Sequence, residues 1–328
     1  MINQRARAQA SAIAIAVVGA LVAIAVIAHF NFGAVLAAIR PIGATNFLVI
    51  VAAQLTLYIP LGLAWWLVAP GEAVGRAPMF VWARLMREAA SDVLPVSQVG
   101  GIVIAARAAT SGAVTAAVAI GSSAVDIALE LVAQLIYTLL GIGLLAGHFG
   151  LHTRGDRLLF PLLGGLTIAV AAVGGFIAAQ RRGFAVIERL LERMMPTAAV
   201  HAAATGRAVE AAYSRPMRTW TCLGLHVACW IGSAAGSWLT LRFIGRPLPF
   251  LSVVAIESLM FAIRNVAFVV PGGLGVQEGA YALLGPLFGL PAEAALALSL
   301  LKRGRDFTIG IPALLSWQIV EARRPLRL

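Results

Sequence analysis

The chain has 328 residues, 60% of them hydrophobic and only 12% charged, where an ordinary soluble domain carries about 25% charged residues. Mean hydropathy is +0.91, and uncharged runs of about 20 apolar residues, enough to cross a hydrocarbon core of roughly 30 Å, recur from end to end. A water-soluble globular protein is excluded, and so is an outer-membrane barrel, whose short strands alternate apolar and polar residues. The expectation is an all-α, polytopic helical membrane protein.

The net charge of +11 comes from Lys+Arg 25 against Asp+Glu 14. The arginines sit at the edges of apolar runs: Arg5 and Arg7; Arg76, Arg84 and Arg87; Arg181 through Arg218; Arg323, Arg324 and Arg327. This is the positive-inside pattern, and it places the N-terminus and the basic loop 180–218 on the cytoplasmic side. No soluble segment is long enough for a basic nucleic-acid module, so nucleic acid is not an expected partner.

In chain order, Ser11 to Phe30 is longer than a signal-peptide core and reads as an uncleaved first span. Asn31 to Gly43 is amphipathic, with Phe32, Val35, Leu36 and Ile39 on one face, and is expected to lie in the interface. A second span covers Phe47 to Val68, with Pro60 as a kink and Trp65 and Trp66 as interfacial anchors. A charged stretch, Gly71 to Asp92, leads into Val93-Leu94-Pro95-Val96-Ser97-Gln98-Val99-Gly100-Gly101.

From Ala108 to Ala146 the only charges are Asp126 and Glu130, and one helix of that length would measure about 58 Å. A break is predicted at Gly121 to Asp126, where Ser123 and Asp126 have capping-box spacing, giving helices Ile102 to Ile120 and Ala124 to Ala146. Leu158 to Ala179 is a further span. Within the basic loop, Phe184, Ile187, Leu190, Leu191 and Met194 share a face, which predicts a surface-lying helix. Trp220 to Leu241 and Phe250 to Val270 are spans. The rest is broken: Pro271-Gly272-Gly273-Leu274-Gly275-Val276-Gln277-Glu278-Gly279, an apolar stretch to Leu290, Pro291, a helix to Leu301, the cluster Lys302 to Asp306, and a short final span.

The two broken regions are alike. Pro95 and Pro271 are 176 residues apart, and Asp126 and Asp306 are 180 apart. An internal repeat with halves at about 78–146 and 255–321 would suit a transporter, in which discontinuous helices occupy matching places. Chance recurrence of Ala, Gly and Val is the alternative.

An ionised side chain at mid-membrane costs about 2.5 to 3.5 kcal/mol, so each one requires a partner or a watery cavity. Asp126, Glu130 and Gln134 form an i, i+4, i+8 stripe, with capping as the structural alternative for Asp126. Glu257 and Arg264 lie on one face, too far apart to pair, and are expected to meet charges on other helices, pointing inward. The segment Pro271 to Gly279 is predicted to re-enter the membrane, with a half-helix N-terminus suited to an anionic group; a plain interfacial turn is the alternative. Lys302, Arg303, Arg305 and Asp306 read equally as a cytoplasmic flank or a binding cluster. Cys222 and Cys229, seven apart on one helix face, cannot bridge each other. With no Cys or His cluster at metal spacing, no metal or other cofactor is expected. No catalytic motif is present either, so an enzyme is not expected.

Val270-Pro271-Gly272-Gly273-Leu274-Gly275-Val276-Gln277-Glu278-Gly279, then Gly289-Leu290-Pro291, Leu298-Ser299-Leu300 and Arg303-x-Arg305-Asp306, resembles the flippase-like membrane region of lysylphosphatidylglycerol synthases. Leu94 to Gly101 and Val125-Asp126 also match the branch encoded with hopanoid biosynthesis genes (HpnL-like), so the resemblance covers nearly the whole chain. Ile102 stands where the wider family often has an acid. The resemblance implies the lipid-translocating half without the aminoacyl-transfer domain, acting on hopanoid or other membrane lipids, anionic phospholipids included. Its expected site gathers Pro95, Ser97, Gln98, Gly100, Gly101, Asp126, Glu130, Glu257, Arg264, Asn265, Pro271, Gly272, Gly273, Gly275, Gln277, Glu278, Arg303, Arg305 and Asp306. The two Pro-Gly segments are expected to meet around a headgroup cavity. A non-transporting scaffold for lipid-biosynthesis enzymes is the alternative reading, and a lipid-modifying membrane enzyme a third.

Overall fold

The computed structural model describes residues 32–94, 97–111, 114–149, 196–267, 270 and 273–322, with isolated helical positions between 164 and 178. Every regular element among them is helical. Three stretches are long and apolar enough to cross a membrane: Gly33–Leu67, Ala116–His148 and Pro216–Phe243. The expected first span Ser11 to Phe30, the amphipathic helix around 184–194, and Pro95, Pro271 and Gly272 lie outside the described residues, as does most of the span at 158–179.

Helix α1 (Phe32–Ile39) passes through a short 3-10 turn at Arg40–Ile42 into α2 (Gly43–Leu67). Pro41 removes a backbone donor at that turn. Gly43 then takes φ +61°, a conformation that only glycine adopts freely. Val35 on α1 is buried while Leu36 is exposed, and α1 packs along the C-terminal helix. The stretch predicted to lie in the interface is therefore the lead-in to a span. Pro60 falls inside α2 without ending it. Trp65 corrects a second expectation. Instead of anchoring at the interface it is 1% exposed, donates from Nε1 to Ser122 Oγ at 2.9 Å and meets Phe80 edge-on at 5.3 Å.

Helix α3 (Ala77–Val93) buries Phe80, Ala83, Arg84 and Arg87, an i, i+3, i+4, i+7 face that includes two arginines. Arg84 is 1% and Arg87 8% exposed, so the chain here is not the solvated basic flank that the positive-inside reading assigned. Gly62 on α2 and Val81 on α3 make a backbone-level contact: a Cβ at Gly62 would lie 2.3 Å from the Val81 Cα. Close approach through small residues is how helices associate in lipid, where apolar burial gives no net drive.

Helix α4 (Ser97–Ser111) is followed by α5 (Ala116–Phe149), 34 residues without interruption. At 1.5 Å per residue α5 is about 51 Å long. The break predicted at Gly121 to Asp126 is absent, and the true one precedes Ala116, where the Thr115 hydroxyl accepts from the Val118 N–H at 3.3 Å as an N-cap. Gly121 and its neighbours are small for packing: a Cβ at Gly121 would sit 2.9 Å from that of Ala208 on helix α6 (Pro196–Tyr213). The basic loop is thus helical over its last part, and α6 lies along α5.

Helices α7 (Pro216–Phe243) and α8 (Phe250–Val266) lead to the second broken region. Helix α9 (Val276–Leu284) is a half-helix of about 14 Å. A 3-10 turn at Gly285–Phe288 ends at Gly289 in the left-handed conformation. Helix α10 (Ala292–Ala322) then runs 31 residues through the charged cluster. The short final span after a break at Lys302 is therefore corrected: the charges lie inside one helix, with Lys302 3% and Arg305 7% exposed.

The chain divides into two compact units. One comprises the described parts of Met1–Thr56, Met86–Gly101 and Ile231–Leu328, the other those of Leu57–Leu85 and Ile102–Trp230.

Candidate functional site

In the first unit a small polar cleft opens where four helices present their charged positions. Asp92 from the end of α3, Arg264 from the end of α8, Gln277 from the start of α9, and Arg303, Asp306 and Phe307 from mid-α10 line it. Arg264 is its hub. Its Nη2 lies 2.7 Å from Asp92 Oδ1, its Nη1 donates to Gln277 Oε1 at 3.4 Å, and its Nε would be only 3.0 Å from a Cβ on Gly273. The end of α3, just before the first break, and the second break therefore share one guanidinium.

The loop before α9 is clamped from inside. Gly273 and Gly275 take φ +59° and +77°, which a β-substituted residue adopts only at a cost. Glu278, in the first turn of α9, accepts from the Gly275 N–H at 2.9 Å, and so caps its own helix. Arg303 Nε lies 2.5 Å from Glu278 Oε1, and Arg303 Nη2 donates to the Gly273 carbonyl at 3.1 Å. Ser299 Oγ donates to Glu278 at 3.1 Å and accepts from Gln277 Nε2 at 2.9 Å. The expected half-helix N-terminus is therefore partly satisfied by Glu278, and the cations that line the cleft are Arg264 and Arg303. Asp92 and Asp306 balance these two cations in the cleft lining.

Behind the cleft, Lys302 Nζ pairs with Glu257 Oε2 at 2.6 Å and donates to the Tyr281 hydroxyl at 2.8 Å. Tyr281 in turn donates to Glu257. Glu257 is 0% exposed, and its charge is tolerable there because it receives two donors.

The second unit carries a separate buried cluster. Arg84 on α3 reaches Asp126 Oδ2 at 3.1 Å and Glu130 Oε1 at 2.6 Å, both on α5. His226 Nε2 on α7 lies 2.9 Å from Asp126 Oδ1, and Cys222 Sγ is 3.9 Å from that oxygen. Asp126 is thus a mid-helix ion-pair partner and not a cap. Gln134, the third member of the polar stripe, turns to Thr138 instead.

These two buried pairs correspond in position. Arg84 lies seven residues after Ala77, the start of α3, and Glu257 seven after Phe250, the start of α8. Asp126 lies ten after Ala116, and Lys302 ten after Ala292. The signs are exchanged: Arg–Asp in one set of helices, Glu–Lys in the other.

The structure thus gathers Arg264, Gln277, Arg303 and Asp306 at the cleft, with Gly273, Gly275 and Glu278 shaping its loop, and puts Asp126 and Glu130 in the other unit. Arg305 bonds to Asp306 at 2.8 Å, and Asn265 is half-buried at the end of α8. Ser97, Gln98 and Gly100 fall in the first turn of α4. Gly101 is a packing position, where a Cβ would lie 2.2 Å from the Ser91 hydroxyl. Sequence reasoning missed Arg84, Asp92, Lys302 as a buried partner, Cys222 and His226. The signal for Arg84 was its register with Phe80; the signal for the last two was their i, i+4 spacing.

The sequence profile of the family described as "Lysylphosphatidylglycerol synthase TM region" matches residues 11–313. Among curated proteins nothing matches, and no solved structure does.

Proposed function

The chain belongs to the lysylphosphatidylglycerol synthase TM-region family, and from that premise we propose that it is a lipid translocase or lipid-transport factor, a multi-pass protein of the bacterial inner membrane. The observation that carries this reading is the cleft of Asp92, Arg264, Gln277, Arg303 and Asp306 at the junction of broken helices. Polar side chains at membrane depth mark substrate paths by default, and irregular backbone is tolerated there only inside protein or beside a water-filled cavity. The lining cations and acids balance, so the cleft suits a polar or zwitterionic headgroup, with a phosphate drawn to Arg264 and Arg303. Hopanoid lipids, handled with the enzymes that make them, are the substrates that the motif resemblance favours. The recurrence of a 17-residue helix, a break, a short helix and a long helix in α3–α4–α5 and α8–α9–α10 supports an internal repeat, the architecture that brings discontinuous helices together in transporters. The reading assigns no covalent chemistry to the chain.

In proteoliposomes carrying headgroup-labelled lipids, the protein should accelerate exchange between leaflets. Arg264→Ala and Arg303→Ala should slow exchange by roughly tenfold or more, equivalent to at least about 1.4 kcal/mol of lost stabilisation. Exchange at the protein-free rate with wild-type protein would overturn the reading and favour a scaffold. Topology gives an independent check. The excess of arginine between Arg181 and Arg218 predicts that a reporter inserted near Arg207 is active only on the cytoplasmic side.

A further inference from the structure

We propose that Asp126, Cys222 and His226 form a site for one zinc-class divalent cation, tying α5 to α7. Their ligand atoms lie within 4.8 Å of one another, and all three residues are buried. Tetrahedral ligands at zinc bond lengths stand about 3.3 to 3.6 Å apart. The observed separations are 2.9 Å from His226 Nε2 and 3.9 Å from Cys222 Sγ to Asp126 Oδ1. Small side-chain movements reconcile these with a shared cation. Cys222 and His226 are i, i+4 on α7, which puts both on one face. A thiolate, an imidazole and a carboxylate form a borderline-soft donor set suited to zinc, with the fourth position left to water.

His226 turns Nε2 to Asp126, so Nε2 is the ligating nitrogen and the neutral ring keeps its proton on the buried Nδ1. Asp126 also pairs with Arg84, and a bound divalent cation deprotonates the Cys222 thiol outright. Arg84, itself paired with Glu130, orients Asp126 from behind, holding Oδ2 so that Oδ1 faces α7.

The full chain purified in detergent without chelator should contain about one zinc per chain by elemental mass spectrometry. Replacing zinc by Co2+ should produce a sulfur-to-cobalt charge-transfer band in the near ultraviolet. Cys222→Ser should abolish that band and lower zinc occupancy more than about tenfold, with helicity and elution volume retained. Cys229→Ser should change neither. The proposal is overturned if folded wild-type protein binds neither zinc nor Co2+, or if the band persists in Cys222→Ser and is lost in Cys229→Ser. Should Cys222→Ser fail to fold, the wild-type metal content decides alone. None of these readouts depends on lipid transport.

Discussion

Replacing Arg84 by methionine is expected to destabilise the protein by about 3 to 5 kcal/mol, the cost of removing one partner from a buried ion pair. Arg84 is 1% exposed, and it is paired with both Asp126 and Glu130. Without it, two carboxylates face each other one helical turn apart with no arginine between them. Against a net stability of only about 5 to 15 kcal/mol for a typical domain, that loss should be plain in a denaturant titration of the protein in micelles. Arg84→Lys should fall between, because an ammonium keeps the charge and loses the planar fork that spans two acids. The triple change Arg84→Met, Asp126→Asn and Glu130→Gln should recover much of the loss, since it removes the stranded charges with their partner. An Arg84→Met variant within about 1 kcal/mol of wild type would show that the acids are solvated and the cluster is not a structural unit.

Gly273→Val is expected to abolish lipid exchange while leaving membrane insertion intact. The substitution makes the segment no less apolar, so insertion has no reason to change. Two effects converge on the site instead. Gly273 takes φ +59°, a conformation costing roughly 1 to 2 kcal/mol for a residue with a Cβ and more for a β-branched one. The new side chain would also press on Arg264, whose Nε and Cδ would lie 3.0 and 3.2 Å from the added Cβ. Arg264 cannot yield freely, because Asp92 and Gln277 hold it. The measurement pairs a leaflet-exchange assay with membrane fractionation. Full exchange activity in a properly inserted Gly273→Val protein would remove this loop from the translocation path.

What could be read from the sequence followed from length and polarity. Apolar runs located α2, α5, α7 and α8, because a segment that must satisfy its own backbone in lipid has no alternative to a helix. Glycine and proline located the break before α9. The breaks expected inside α5 and α10 are absent for one shared reason: polar residues in an apolar run resemble the ends of elements, and here they bond across helices instead. Ser122 and Ser123 looked like a cap, yet Ser122 bonds back to the Val118 carbonyl at 2.6 Å and receives Trp65 from a distant helix. Lys302 to Asp306 looked like a flank, yet α10 carries them into contact with α8 and α9. Arg84 and Arg87 resemble topology signals, since an arginine near an apolar edge is usually that. Only the register with Phe80 and Ala83 could have distinguished them. The pairing of Asp92 with Arg264, 172 residues apart, has no local signature at all.

The exchanged signs of the two buried pairs bear on how such a chain assembles. A protein with two similar helix triplets risks pairing the first helix of one triplet with the long helix of the other while both are still arriving in the bilayer. Here each wrong match joins like charges. Arg84 on α3 would meet Lys302 of α10, and Glu257 on α8 would meet Asp126 of α5. With little water to screen them, such encounters are repulsive from the outset. Had both triplets carried the same Arg–Asp pair, charge would not distinguish the crossed arrangement from the native one. The reversal therefore disfavours the crossed pairing on charge alone.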